Sequence, residues 1–406
     1  MYFCTIFSDK MNTTTISNLP ESRKDTLISI CVFLSGFSCF AQLYYFQPLL
    51  PDLAREFLLS ASHSSLAVSF STLGMVFGLI TTMFIADRIP RKKLISMGLL
   101  TSSVFSVAAS FSPVFWLLIL LSAAKGFLLS GATSVSMAYI AEEVSEKNKA
   151  RIMALYIAGN ALGGMSGRFI TSWIGAVWSW RIASVSIGLI CALFALLFLL
   201  FSPRSTHFFP RKESLHSLII VNARLITSKA LVPFYLTGGL ILGVFVSLYN
   251  YMGFYLLKPP FNFPEYSIHY IYLMYTFGMF GSVATVRLTR HRLPVPVLKS
   301  ILLLSAASIL FLYIPGFLTV GLGLAIFTFN FFVIHVLCNR IVSEYNLAKR
   351  SVTISIYLLT YYLGSSLLGW ATGLLLDAFG WPYFLAGLIL LLLLNYAIIA
   401  RRNQEL

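Results

Sequence analysis

Two cations stand inside apolar runs of this chain, and their chemistry is the natural starting point. Lys125 lies midway along FWLLILLSAAKGFLLSGATSVSMAYI, and Arg168 follows ALYIAGNALGGMSG. A buried guanidinium or ammonium can hold an anionic group, and a lysine can also carry a proton. Gly159, Gly163 and Gly167 recur at i, i+4 and i+8, which lines three glycines along one helical ridge where a neighbouring helix can come close. Asn160, Gly164 and Arg168 form the next ridge, with Tyr156 one turn earlier. His335 shares an apolar run with Asn330 and Asn339. It is either a proton-linked group or an ordinary buried histidine. Gln42, Tyr45 and Gln47 in a first apolar run, and Asn250 and Tyr251 in a seventh, are the natural polar lining of a path between helices.

These residues need elements to position them, and the composition names the kind. The 406 residues are 58% hydrophobic and 11% charged, with a mean hydropathy of +0.84. Soluble domains carry about 25% charged residues. The chain therefore reads as an all-α polytopic membrane protein. Apolar runs long enough to cross a bilayer recur near 27–49, 64–85, 94–111, 114–139, 151–172, 181–201, 231–256, 268–287, 297–315, 317–339, 351–375 and 382–400, which makes twelve. With both ends inside, 24 of the 29 lysines and arginines fall in cytoplasmic segments. Such a bias would vanish if one helix were miscounted. The net charge of +15 thus reflects topology, and no nucleic-acid partner is expected. Cys4, Cys31, Cys39, Cys191 and Cys338 have neither disulfide nor zinc spacing and read as small apolar packers, so no metal is expected.

The organisation expected is a cytoplasmic tail (1–26, with Met11 as an alternative start to Met1), a six-helix bundle (27–201), a basic cytoplasmic linker (202–230), a second bundle (231–400) and a cytoplasmic end (401–406). A shift of 201 residues superimposes Tyr156 on Tyr357, Gly163 on Gly364 and Trp180 on Trp381 without a gap. Two pseudo-symmetric halves of six helices with a site between them near the midplane is an architecture of secondary transporters.

The loop FIADRIPRKKL resembles motif A of the major facilitator superfamily, G-x-x-x-D-R-x-G-R-[RK]. Asp87, Arg88, Arg91 and Lys92 match, and Met83 and Pro90 replace its glycines. The resemblance implies that Asp87 latches on the start of helix eleven and pairs with nearby cations. Glu142 and Glu143 lie within reach of the arginines. The plain alternative is a positive loop that sets topology. Gly159, Gly163 and Gly167 are similar to motif C of the antiporter branches, with Gly164 in place of its proline and Arg168 in place of its last glycine. Motif B has an arginine four residues before a glycine; Gly126 has Ser122 there, and the cation stands at Lys125. Over nearly its whole length the chain resembles the bacterial YnfM-like branch of twelve-helix efflux-type carriers, through LYYFQPLLPDLAREF, YIAGNALGGMSGR and SIYLLTYYLGSS.

A lysine at the bilayer centre costs roughly 2.5–3.5 kcal/mol on insertion scales, so Lys125 is expected to face the central path. Arg168, nearer the outer end, reads as an outer-gate residue or a snorkelling one. No carboxylate lies mid-helix, which favours anionic, zwitterionic or neutral substrates over cations. No phosphate-binding loop and no H-E-x-x-H or G-x-S-x-G motif is present. The expectation is a non-enzymatic, cofactor-free, monomeric transporter of the bacterial inner membrane, exporting small organic solutes on a proton gradient. The alternatives are an importer of an amino acid or anionic metabolite and, from another class, a sensor or lipid-handling enzyme.

Overall fold

A computed structural model describes residues 21–206, 208, 224–290, 293–345 and 350–401. Residues 1–20 of the expected tail with both candidate starts and Cys4, most of the 202–230 linker, and 402–406 lie outside the described residues. Among the described residues twelve long helices follow one another. The first six are α1 (Glu21–Tyr44), α2 (Leu66–Ile85), α3 (Arg91–Ser110), α4 (Phe115–Glu143), α5 (Glu146–Val177) and α6 (Trp180–Phe201). The second six are α7 (Val232–Leu256), α8 (Tyr275–Leu288), α9 (Pro294–Leu310), α10 (Phe317–Tyr345), α11 (Arg350–Phe379) and α12 (Trp381–Ala400).

Eleven helical stretches are long and apolar enough to cross a membrane. Only α5 falls short, and by composition, since its 32 residues span about 48 Å. Its apolar content is diluted by the polar first turns from Glu146 to Arg151 and by Asn160, Ser166 and Arg168.

Local chemistry sets the helix ends. Pro48 and Pro51 have no N–H to give, so α1 stops at Tyr44 and the chain turns through a 3₁₀ segment, Gln47–Leu49, into a short helix, Leu50–Glu56. Tyr45 and Gln47 are therefore beyond the first helix, not within it. Helix one also begins earlier than expected, at Glu21, so the last residues of the expected tail are helical. The eighth span divides into a 3₁₀ stretch, Glu265–Met274, and α8. The Asp25 carboxylate holds the α4–α5 turn, accepting from the Ser145 hydroxyl (2.5 Å) and the Asn148 amide (2.8 Å). Gly380, at φ 81°, turns the chain sharply between α11 and α12 in a conformation that a side chain would strain.

The packing repeats across the halves. Helix α5 packs on α1 as α11 packs on α7; α4 lies between α2 and α3 as α10 lies between α8 and α9; α6 packs on α3 as α12 packs on α9. Lipid tails offer no hydrophobic drive for such contacts, so close backbone approach must supply them. A Cβ at Gly159, Gly163 or Gly167 would run into the backbone of Phe33, Phe37 or Ala41 on α1. Gly364 meets Gly239 on α7 in the same way. The ridge through Gly126 and Ser130 of α4 lies on α2, where a Cβ at Gly126 would overlap the Ser71 carbonyl. The four described cysteines are buried with free thiols.

Between the halves, α11 packs on α2 and on the Ala61–Ser64 turn, α5 on the Glu265–Met274 stretch, and α7 on the Gln47–Glu56 segment. The face that carries the α2–α3 and α4–α5 turns, basic in sequence, is termed the inner face, and the opposite one the outer face.

Candidate functional site

Among the described residues, a set of hydrogen bonds joins the two halves on the outer side of the molecule. At the rim, Arg55 pairs with Glu265 (2.5 Å), and the Asp377 carboxylate on α11 accepts from the Ser62 amide (3.1 Å). Deeper, Tyr251 donates to the Ser65 hydroxyl (3.0 Å) and to the Gly369 carbonyl (2.7 Å). The Ser366 hydroxyl donates to the Ser69 carbonyl (2.8 Å). Further in, the Gln47 amide donates to Asn250 Oδ1 (2.7 Å) and the Val246 carbonyl (3.1 Å) on α7. Asn250 in turn donates to the Gly369 carbonyl (3.2 Å). These bonds tie the outer ends of the two halves together.

Arg168 is the inner neighbour of that tie. Its Nε donates to Gln47 Oε1 (2.5 Å) and its Nη1 to the Gly164 carbonyl one turn back (2.5 Å). The guanidinium carbon stands 4.4 Å from the centre of the Tyr44 ring and 4.9 Å from that of Tyr275. Only 3% of the residue is exposed, so it does not snorkel. A desolvated cation over two aromatic faces gains roughly 2 kcal/mol from each good contact. Gly164 is needed beside it, since a Cβ there would stand 3.3 Å from Nη1. Tyr44 also lies 3.5 Å from the Ser365 hydroxyl across the halves.

Lys125 behaves differently and corrects the expectation. It is 1% exposed, and its ammonium lies 4.1 Å from the centre of the Tyr45 ring and 4.9 Å from that of Phe46, with no hydrogen-bond partner. These rings belong to the turn after α1, so the side chain points into the interior of the first bundle rather than into a path between bundles. Gln42 and Tyr45 go with it. Gln42 donates to Ser38 (3.2 Å) and accepts from Ser106 (3.0 Å), and the Tyr45 hydroxyl donates to the Ser106 carbonyl (3.4 Å). All three bonds stay within one half. The physical reason is that α4 is covered on several sides, so depth alone did not decide which way its lysine turned.

The other expected residues divide between the bundles. Tyr156 is buried, and Asn160 Oδ1 is turned against Gly36 of α1 without a partner. His335 is partly exposed, with Nδ1 3.0 Å from the Tyr357 hydroxyl and its ring centre 4.6 Å from that of Tyr361. Asn330 is buried, with an unpartnered amide nitrogen. The glycines Gly159, Gly163 and Gly167 face α1, while Gly164 belongs to the arginine.

On the inner face, Arg91 gathers the motif. It bonds Asp87 (2.7 Å) and Glu142 (3.1 Å), both in its own half. Glu143 goes instead to Lys24 (3.0 Å). Lys92 donates to the Ser202 carbonyl (2.5 Å) at the start of the linker. Arg88 is exposed, with no ion pair among the described residues, and the Asp87 side chain is 55% exposed. In this conformation Asp87 has no described partner on α11.

Tyr44, Tyr275, Ser65 and Asp377 also contribute, and no spacing in the sequence singles them out. The partner of Asp377 is a backbone amide, which no side-chain pattern announces. Tyr44 was hidden beside Tyr45, and only the α1 terminus decides which of the two faces the second half.

The family model described as Major Facilitator Superfamily matches residues 29–347. The uncharacterized MFS-type transporter YybF of Bacillus subtilis (strain 168) is 32% identical over 364 residues, covering 89% of each chain. The inner membrane transport protein YnfM of Escherichia coli (strain K12) is 30% identical over 380 residues, covering 93% of this chain and 91% of that one. The fold also matches a crystal structure of a bacterial homolog to the human lysosomal transporter Spinster in an inward-facing, unoccupied conformation. The TM-score is 0.75 at 15% identity, over 93% of this chain and 95% of that one.

Proposed function

Because the chain belongs to the Major Facilitator Superfamily, and so is a secondary transporter rather than an enzyme, we propose that it exports small organic solutes by alternating access, coupled to protons. We place it in a bacterial inner membrane with both termini cytoplasmic, in line with the charge bias of its loops and with YnfM, named an inner membrane protein of Escherichia coli. The observation that carries the reading is the set of bonds between halves on the outer side, among them the ties of Gln47, whose amide oxygen is held in turn by Arg168. Solute reaches these bonds from the inner side, between the bundles. Opening outward requires those bonds to break and the inner ends to meet. The carboxylates at the far ends of α2 and α11 suit that exchange. Asp377 now caps the outer turn at Ser62, while Asp87 waits on Arg91 for the start of α11.

No described carboxylate lies mid-membrane, so the proton falls to His335, which is partly exposed and lies against Tyr357. An ordinary imidazole changes charge between about pH 5 and 8. The test is solute flux in proteoliposomes under an imposed pH gradient, with His335→Gln in parallel. Gradient-driven flux that loses its dependence on pH in the variant is the expected result. Flux indifferent to the gradient would refute proton coupling, and gradient-driven movement toward the cytoplasmic face would make the chain an importer.

A further inference from the structure

We propose that Arg168 is the anion-recognition residue of the transport site, and that its ligands are small flat organic monocarboxylates, aromatic ones above all. The inference rests on the reading of the chain as a carrier with its site between the halves.

Arg168 is a buried cation answered only by neutral groups. Among the described residues no carboxylate lies within ion-pair distance of it, and its acceptors are the amide oxygen of Gln47 and the backbone carbonyl of Gly164. Burial of a charge without an opposite charge is costly, and at a place where both halves meet a ligand can supply the missing half. The guanidinium is not exhausted by its two bonds. Nη2 makes none, and Nη1 has a second proton beyond the one given to Gly164. Together these N–H groups form the end of the fork that receives a carboxylate through two parallel bonds.

The surroundings set the rest of the ligand. Tyr44 from the first half and Tyr275 from the second both turn ring faces to the guanidinium, and the Tyr275 hydroxyl is buried without a partner. A carboxylate on Arg168 therefore carries its body among aromatic rings from both halves, where a flat apolar body packs best. A cationic solute meets an unbalanced positive charge and no acid. The glycine at position 164 keeps the fork clear, since any side chain there would press on Nη1. Gln47 links recognition to the gate, because one amide holds Arg168 with its oxygen and Asn250 with its nitrogen. An anion that draws the guanidinium inward loosens the amide that ties the halves together.

The test uses the purified full-length protein with benzoate, benzamide and benzylammonium as probes, read by equilibrium binding and by counterflow in proteoliposomes. Benzoate is expected to bind about tenfold or more tightly than benzamide, the usual value of charge-assisted bonds over neutral ones, with benzylammonium weakest. Arg168→Gln should erase the preference for benzoate over benzamide. Arg168→Lys, which keeps the charge but loses the fork, should retain part of it and guards against a merely misfolded variant. Equal or better binding of benzamide or benzylammonium overturns the assignment, as does benzoate binding unchanged in Arg168→Gln. So does a failure of benzoate and of one- and two-ring aromatic monocarboxylates to bind at all. In each of these cases counterflow of some other solute leaves the carrier reading standing. That reading fails separately, if no solute of a panel including neutral and cationic compounds shows counterflow.

Discussion

Gln47→Leu isolates the contribution of one side chain to the closed outer gate. Leucine keeps much of the volume of the side chain, so the change is chiefly the loss of hydrogen bonds. Three involve this amide, and they count differently. The bond from Arg168 lies within the first half and is lost whether the outer side is open or closed, so to first order it leaves the conformational equilibrium alone. The bonds to Asn250 and to the Val246 carbonyl cross to α7 and exist only in the closed state. Each neutral bond contributes a net 0.5–1.5 kcal/mol after exchange with water, so the pair favours closure by about 1–3 kcal/mol. Their loss should raise the outward-open population by about 5- to 150-fold. The assay is labelling of a Ser365→Cys reporter, beneath Tyr44, by a membrane-impermeant maleimide added from outside. The described native cysteines are buried and give a low background. An outside labelling rate that is unchanged, in protein of unchanged melting temperature, would refute the assignment of these bonds to the gate.

Lys125→Met should leave solute affinity intact and the melting temperature equal or higher. The lost contact with the Tyr45 and Phe46 rings is offset by relief of an unpartnered buried ammonium, and apolar replacement even of a buried ion pair is often neutral or stabilising by about 1–4 kcal/mol. A folded variant with weakened affinity would return Lys125 to the transport path. Gly163→Val should prevent recovery of monodisperse protein, because its Cβ would overlap the backbone of Phe37 and force α1 from α5. Gly164→Ala, which meets only Arg168 Nη1 at 3.3 Å and Phe40 at 3.8 Å, should fold and instead weaken solute binding. Equal size-exclusion profiles for Gly163→Val and wild type would refute the close-packing account.

The two intramembrane cations show where a sequence informs and where it stops. Membrane class and the two halves were legible because each rests on many residues at once: the apolar content, the bias of 24 cations to one side, and a repeat that carries Gly163 onto Gly364. The direction of one side chain rests on a few degrees of helix rotation and on the neighbours, and only the neighbours distinguish Lys125 from Arg168. Helix α4 is wrapped by α2 and α3 and touches α1, so its lysine finds its rings inside the bundle. Helix α5 lays its glycine face on α1, and the adjoining ridge, which carries Gly164 and Arg168, is thereby turned toward Tyr275 of the other half. The ridge spacing was visible in the sequence, and its meaning was not, because the same spacing serves packing and presentation alike. Gln47 was mistaken for a helical residue for a related reason. Pro48 ends the helix just where the chain reaches the second half, and that departure from helical geometry is what lets a single amide face Arg168 on one side and Asn250 on the other.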